Sequence, residues 1–231
     1  MRLLVTLDLF SAATDSARGA AATFAAIAAE RSWPAGGPEL YAAWDARNKA
    51  AQRTARPPTT FAEVSEAALA AAYDDLGLPV GHAAQDRARV HAAVGAWPLW
   101  PDLAAGVTAL RATPAVDAVG ILSNVDDDLA RAARAAALVD DAWLLTSQRL
   151  AAYKPDPAIY RAAREAAATA GLRLVHVAAS ARDVRGALEA DIAAVRLARP
   201  GHAVDPDGPP PPHEVADARD LPSAVLAAAQ D

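Results

Sequence analysis

The chain has 231 residues, a formal net charge of −6 and 53% hydrophobic content, enough for one large α/β domain or for a domain carrying a smaller insertion. Arginines and carboxylates are interspersed without any basic run carrying interleaved aromatics, which argues against nucleic acid as a partner. No stretch approaches the roughly 20 apolar residues of a membrane span, no secretory h-region follows Met1-Arg2, and the absence of cysteine excludes disulfides, thiolate metal sites and a cysteine nucleophile; the expectation is a soluble, cytoplasmic protein with no membrane partner.

The first apolar run, Leu3 to Leu7, reads as a buried strand and closes on Asp8. A lone carboxylate there is commonly satisfied by neighbouring backbone N–H groups. The C-terminal strand ends of an open α/β sheet are also where ligands bind, which makes Asp8 a candidate nucleophile.

From Ser16 to Pro98 alanine-rich helical stretches follow one another: Ala20 to Arg31, Pro38 to Arg56, Phe61 to Leu76, and Ala83 to Val94. Proline- and glycine-bearing breaks separate them, at Trp33 to Pro38, Arg56 to Pro58 and Gly77 to Gly81, and Trp97 to Pro101 marks the return to the core. The block reads as a helical subdomain over residues 16–98, inserted in a core of residues 1–15 and 99–231. Its own packing should rest on Leu40, Trp44, Phe61, Leu69, Tyr73 and Leu76.

On the second of these helices Tyr41, Asp45, Asn48, Lys49 and Gln52 share one face. One reading is a solvated stripe with an Asp45–Lys49 ion pair. Another is a polar wall turned toward Asp8, which would favour a small, carboxylated, anionic substrate. A third is a subunit contact, hence a homodimer.

Beyond Pro98 strand-like runs at Val119 to Leu122, Trp143 to Thr146, Leu174 to Ala178 and Ala193 to Leu197 alternate with helix-like segments at Ala130 to Leu138, Ala158 to Ala170 and Val184 to Ala190. Such alternation predicts an α/β fold, a Rossmann-like parallel sheet with helices on both faces. Pro206-Asp207-Gly208 and the four prolines after it read as an extended surface segment before a last short helix.

Three polar groups follow these strands. Ser123-Asn124 reads as a helix N-cap or as an anion site. Lys154 stands just outside a helix begun by Asp156 and Pro157, and it is one of only two lysines among 22 basic residues, the other being Lys49. An ammonium there would keep a nucleophilic carboxylate ionised. Ser180 and Asp183 have the spacing of a capping-box variant, or Asp183 is a second active carboxylate that anchors Lys154 and helps water attack an ester. The five histidines have no metal-ligand spacing; His176 reads as a core or edge residue, and Trp97 and Trp100 as hinge packing.

Asp8 to Thr14, Leu122-Ser123-Asn124, Tyr153-Lys154-Pro155-Asp156-Pro157 with Tyr160, and Ser180 to Ala187 resemble, in order, the four motifs of the haloacid dehalogenase superfamily. The resemblance implies a Rossmann-like core with a helical cap inserted after the first strand. Phosphatases of that superfamily carry an Asp two residues after the nucleophile and a Gly-Asp pair in the last motif, where this chain has Phe10 and Ala178-Ala179. An alanine cannot ligate magnesium, so the resemblance is nearer to the metal-independent 2-haloacid dehalogenases.

The chain departs from that branch as well. Phe10-Ser11-Ala12 replaces its usual Tyr-Gly-Thr, Ala178, Ser180 and Arg182 stand where its last motif offers Ser, Asn and Trp, and Asp45 takes the place of its halide-cradling Arg. The resulting expectation is a hydrolase without cofactor or metal, in which Asp8 forms an ester with a small carboxylic acid, assisted by Lys154 and Asp183. Phe10, Ser123, Asn124, Asn48, Lys49, Tyr160 and Ser180 would line the substrate side. The alternatives are a magnesium-dependent phosphatase and a catalytically inactive binding member.

Overall fold

A computed structural model describes residues 2–204 and 210–230; the stretch Pro206 to Pro209 lies outside the described residues. Six parallel strands, β1 (Leu3–Leu7), β2 (Val116–Ser123), β3 (Leu144–Thr146), β4 (Arg173–Ala178), β5 (Ala193–Leu197) and β6 (Glu214–Val215), form one sheet in the order β3-β2-β1-β4-β5-β6. Every residue of β1 is buried, as a central parallel strand covered on both faces requires. Leu3, Val5 and Leu7 join one apolar cluster and Leu4 another, the alternation of a pleated strand dividing between two layers.

Helices α5 (Leu103–Arg111) and α10 (Leu221–Ala228) pack through Leu103, Val107, Leu110, Leu221 and Val225 into the first cluster. Helices α8 (Pro157–Thr169) and α9 (Ala181–Glu189) pack through Ile159, Tyr160, Ala163, Val184 and Ala187 into the second. The chain winds from β1 through β2 to β3 on one side of the sheet and then crosses to β4, so the direction of winding reverses between β1 and β4. In open α/β sheets the crevice beyond the strand ends at such a reversal is where ligands bind.

Between β1 and β2 lie α1 (Ser16–Arg31), α2 (Gly37–Gln52), α3 (Phe61–Asp75) and α4 (Ala83–Ala92). They pack on one another through Phe24, Leu40, Trp44, Phe61, Leu69 and Tyr73, with Leu76 half-buried against them. A complete capping box starts α3: Thr60 accepts from the Glu63 N–H while Glu63 accepts from the Thr60 N–H. The chain leaves and re-enters the sheet side by side, through a Thr14–Leu99 bridge and an Asp15 N–H to Pro98 carbonyl bond of 2.9 Å. Among the described residues no helix is long and apolar enough to cross a membrane.

Several sequence expectations need correction. The segment Ala130 to Leu138 is not one helix: α6 (Asp127–Ala132) ends where Ala133 turns extended, and a 3₁₀ stretch, Arg134–Leu138, follows. Helix α5, the short α7 (Ser147–Leu150) and β6 were not anticipated. Ser123 is the last residue of β2 rather than a helix cap, because α6 starts only at Asp127, beyond a turn in which the Val125 N–H is bound by Ser147 Oγ at 3.0 Å. The capping box expected of Ser180 and Asp183 does not form, since the Asp183 carboxylate is turned into the sheet end and Ser180 caps α9 without its side chain.

Candidate active site

Asp8 follows β1 directly, and its N–H extends the β1–β4 ladder by bonding the Val177 carbonyl at 2.9 Å. The chain then coils into a single π-helical turn, Leu9–Ala13, which brings Ser11 back over Asp8. The Ser11 N–H and hydroxyl both donate to Asp8 Oδ2, at 2.9 and 2.5 Å, and the Ser123 hydroxyl donates to Oδ1 at 3.2 Å.

Lys154 enters from the turn after α7. Its Nζ donates to Asp8 Oδ1 at 2.9 Å and to Asp183 Oδ2 at 2.6 Å, with the ammonium side chain only 7% exposed. Asp183 is saturated on its other oxygen, which accepts from the Tyr160 hydroxyl at 2.7 Å and lies 3.2 Å from His176 Nε2. His176 is itself held at Nδ1 by the Thr6 hydroxyl at 3.0 Å, a contact dictated by the Thr6–His176 register of β1 on β4. Tyr160 reaches Asp183 because Gly186 stands where it passes: a Cβ there would lie 2.9 Å from the phenol oxygen.

The electrostatics follow from this packing. Burial opposes ionisation of Asp8, and so does the Asp183 charge, but the Lys154 charge and the hydrogen bonds from Ser11 and Lys154 outweigh both and hold Asp8 below its ordinary value. Burial likewise opposes the charged Lys154, yet Asp183 and Asp8 hold it above its ordinary value, a fixed cation. For Asp183 burial is overcome by Lys154 and His176, and its pKa falls well below the carboxylate range.

Above this centre lies a cavity of about 550 Å³ between the sheet end and α1–α4. Asp8, Phe10, Ser123, Asn124, Lys154, Ser180 and Asp183 line it from the sheet side, and Asn48 and Lys49 from α2. Tyr160 stands behind Asp183, outside the lining. The whole stripe Tyr41, Asp45, Asn48, Lys49 and Gln52 faces the cavity, and the Asp45–Lys49 ion pair of the plainer reading also forms, at 2.6 Å. The Asn48 amide is buried, and its oxygen has no hydrogen-bond partner among the described residues.

Asn124 is placed at the site but engaged within the protein. Its amide donates to the Lys154 carbonyl at 2.9 Å and to Gln52 Oε1 at 2.8 Å, while its oxygen accepts the Lys154 N–H at 2.7 Å. It clamps the backbone that delivers Lys154 and ties α2 to the sheet end. Asp126 does the same for α3, accepting the Phe61 and Ala62 N–H groups at 2.8 and 2.9 Å, and the Tyr153 hydroxyl donates to the Thr59 carbonyl at 2.9 Å.

Four residues near the centre escaped the sequence reading as site residues: Ser11, His176, His91 and His202. His202, after β5, lines the cavity, and burial with the Lys49 charge opposite keeps its imidazole below its ordinary pKa. His91 lies flat on Phe61, ring centroids 5.6 Å apart, with Nε2 at 3.0 Å from Ser65 Oγ.

Burial, aided by Arg87, pushes His91 down from 6.5 to about 4. A depressed histidine contributes stability that is complete above its unfolded pKa and is lost as pH falls through its folded one. Unfolding by denaturant should therefore show about 2 kcal/mol lost between pH 7 and pH 4.5 on this account. His91→Phe, which keeps the ring stack, should flatten that interval; an unchanged slope would remove His91 as its cause.

No family model matches the chain, and no curated protein matches it. Solved structures do. A defluorinating L-2-haloacid dehalogenase, Rha0230, superposes with a TM-score of 0.78 at 24% identity, over 97% of this chain and 95% of the other. The L-2-haloacid dehalogenase from Xanthobacter autotrophicus gives 0.77 at 21% identity, over 98% and 99%, and has also been solved with chloropropionic acid covalently bound. A 2-haloacid dehalogenase from Pseudomonas syringae pv. Tomato gives 0.61 at 23%, again over 98% and 99%. The fold is that of the haloacid dehalogenases over nearly the full chain.

Proposed function

We propose that this chain is a hydrolase of the haloacid dehalogenase type, working without metal, that forms an ester between Asp8 and a carboxylic acid bearing a leaving group on its α-carbon. The observation that carries the reading is Lys154 Nζ lying between Asp8 and Asp183, at 2.9 and 2.6 Å, at the floor of the cavity under α2. An ionised, desolvated carboxylate with a fixed cation beside it is an activated nucleophile. The fold shared with 2-haloacid dehalogenases supports the same reading.

In the first step an Asp8 oxygen forms a bond to the α-carbon as the bond to the halide breaks, and the halide leaves with the bonding pair. Water then adds to the Asp8 acyl carbon, the acyl–oxygen bond breaks, and a 2-hydroxy acid, a proton and the original carboxylate result. Lys154 keeps Asp8 ionised and offsets the charge that develops on the acyl oxygen. Ser11 and Ser123 fix the Asp8 oxygens, and Asn124 fixes Lys154. Asp183, saturated by three groups and strongly acidic, is suited to anchoring Lys154 more than to taking a proton from water. Helices α1–α4 serve as the cap, with Asn48 and Lys49 offering an amide and a cation to the substrate carboxylate, and Phe10, Ser123 and Ser180 completing the pocket.

A magnesium ion fits this centre poorly. The position between Asp8 and Asp183 is spanned by an ammonium, and the neighbouring Ala178 and Ala179 bring no oxygen side chain. Incubation with 2-bromo acids and with phosphate esters, with and without chelator, should give bromide release indifferent to chelator and, in rapidly quenched samples, a mass increase on the Asp8 peptide. Phosphate release that vanishes with chelator would establish the phosphatase instead, and binding with no ester on Asp8 an inactive member.

A further inference from the structure

The cavity lining is of two chemical kinds. Helix α2 contributes the polar stripe Tyr41, Asp45, Asn48, Lys49 and Gln52, beside the Trp44 ring. Other elements contribute Phe10, Phe61, His91, Val94, Trp97 and Leu129, four aromatic rings and two aliphatic side chains. The rings form a continuous bank: Phe10 stacks on Phe61 at 5.9 Å and 19°, Phe61 on His91 at 5.6 Å and 12°, and Trp97 leans on Phe10 at 5.9 Å and 59°.

This bank begins two residues from the nucleophile, because Phe10 leaves the same π-helical turn that brings Ser11 onto Asp8. Its position is fixed from several sides. Trp97 is seated against α1 at Gly19, where a Cβ would lie 2.4 Å from the indole. Phe61 is held through its own N–H by Asp126 at 2.8 Å. His91, with its pKa pushed to about 4, is an uncharged flat ring at neutral pH. Rings in such offset and tilted arrays present faces and edges to a further ring at little extra cost.

The geometry points to a 2-substituted acid with an aryl group on its side chain as the preferred substrate, the aryl group lying on the Phe10–Phe61–His91 bank while the carboxylate faces α2. This rests on the ester-forming reading of Asp8. A two- or three-carbon acid leaves most of a 550 Å³ cavity to water, which lies within the range of about 300–1,000 Å³ that fits far larger ligands. It would also leave the accessible parts of Phe10 and His91, which Phe61 and Trp97 back from the buried side, without an apolar partner. Because the leaving group must lie opposite Asp8, only one enantiomer directs its carboxylate to the polar wall and its side chain to the rings. Enantiomer preference should therefore widen as the side chain grows.

The test compares the separate enantiomers of 2-bromopropionate and 2-bromo-3-phenylpropionate, whose reacting carbons are alike, by bromide release and by the mass of the Asp8 peptide. The expected result is a kcat/KM roughly 30-fold or more in favour of the phenyl acid, confined to one enantiomer. Phe10→Ala and, separately, His91→Ala should shorten the accessible part of the bank and reduce that ratio about tenfold. Bromide release from both acids with the smaller preferred, or a ratio unmoved in both variants, overturns the inference and leaves the ester mechanism standing. No bromide and no Asp8 ester from either acid overturns both.

Discussion

Asp8→Asn should reduce turnover by at least about 10⁴-fold while leaving the fold in place, since removal of a covalent nucleophile costs far more than any binding contact. The asparagine side chain is nearly the same size, and its oxygen still accepts the Ser11 N–H that Asp8 accepts at 2.9 Å. Its amide nitrogen, however, cannot form the ester, and it faces Lys154 where an acceptor stood at 2.9 Å. Substrate should still bind, so calorimetry on the variant separates the loss of chemistry from the loss of the pocket. Any activity that emerges slowly would come from deamidation and would appear as a gain of one mass unit on the peptide. Undiminished turnover in a variant verified as asparagine would remove Asp8 from the mechanism.

The acid–lysine–acid centre was legible because Asp8 closes one apolar run directly and Asp183 and Lys154 follow two others within a short turn or helix start, and parallel strands deliver such segments to one sheet end. The contents of the centre's second layer were not. His176 reads as a core residue along β4, and its link from Thr6 to Asp183 exists only through the pairing of Thr6 with His176, a register no local pattern encodes. Ser11 looks like a lost motif residue until the π-helical turn folds it onto Asp8.

Asn124 shows the opposite failure. Its place was readable, but the direction of its amide depends on Gln52 and the Lys154 backbone, 72 and 30 residues away. Helix α5 did leave a signal, Leu103, Val107 and Leu110 at helical spacing, which stood in the shadow of the prolines at 98 and 101. The stripe on α2 was correctly placed on one face by periodicity. Which way that face turns was settled by tertiary contacts, the burial of Leu40, Trp44 and Asn48 among them and the Gln52–Asn124 bond.

Lys154→Met should be the most damaging single change to stability at this centre. Asp8 and Asp183 are 13% and 8% exposed in their side chains and share this one ammonium. Methionine matches its length but leaves two facing carboxylates in a desolvated setting, and breaking a buried pair in this way costs about 3–5 kcal/mol. The sign of the pH dependence identifies the cause. In the parent protein both carboxylates are held below their ordinary values, so their contribution is complete above the unfolded carboxylate pKa and is lost as pH falls. Without the cation, burial and mutual repulsion raise them instead, so the penalty is full at neutral pH and shrinks as one proton is taken up by the pair. Unfolding midpoints of parent and variant should therefore converge between pH 7 and pH 5. Adding Asp183→Asn to Lys154→Met should recover about 1–3 kcal/mol, the coupling expected of groups in one network. A variant as stable as the parent at pH 7, or one whose deficit stays constant down to pH 5, would mean that the ammonium is not what holds the two acids ionised side by side.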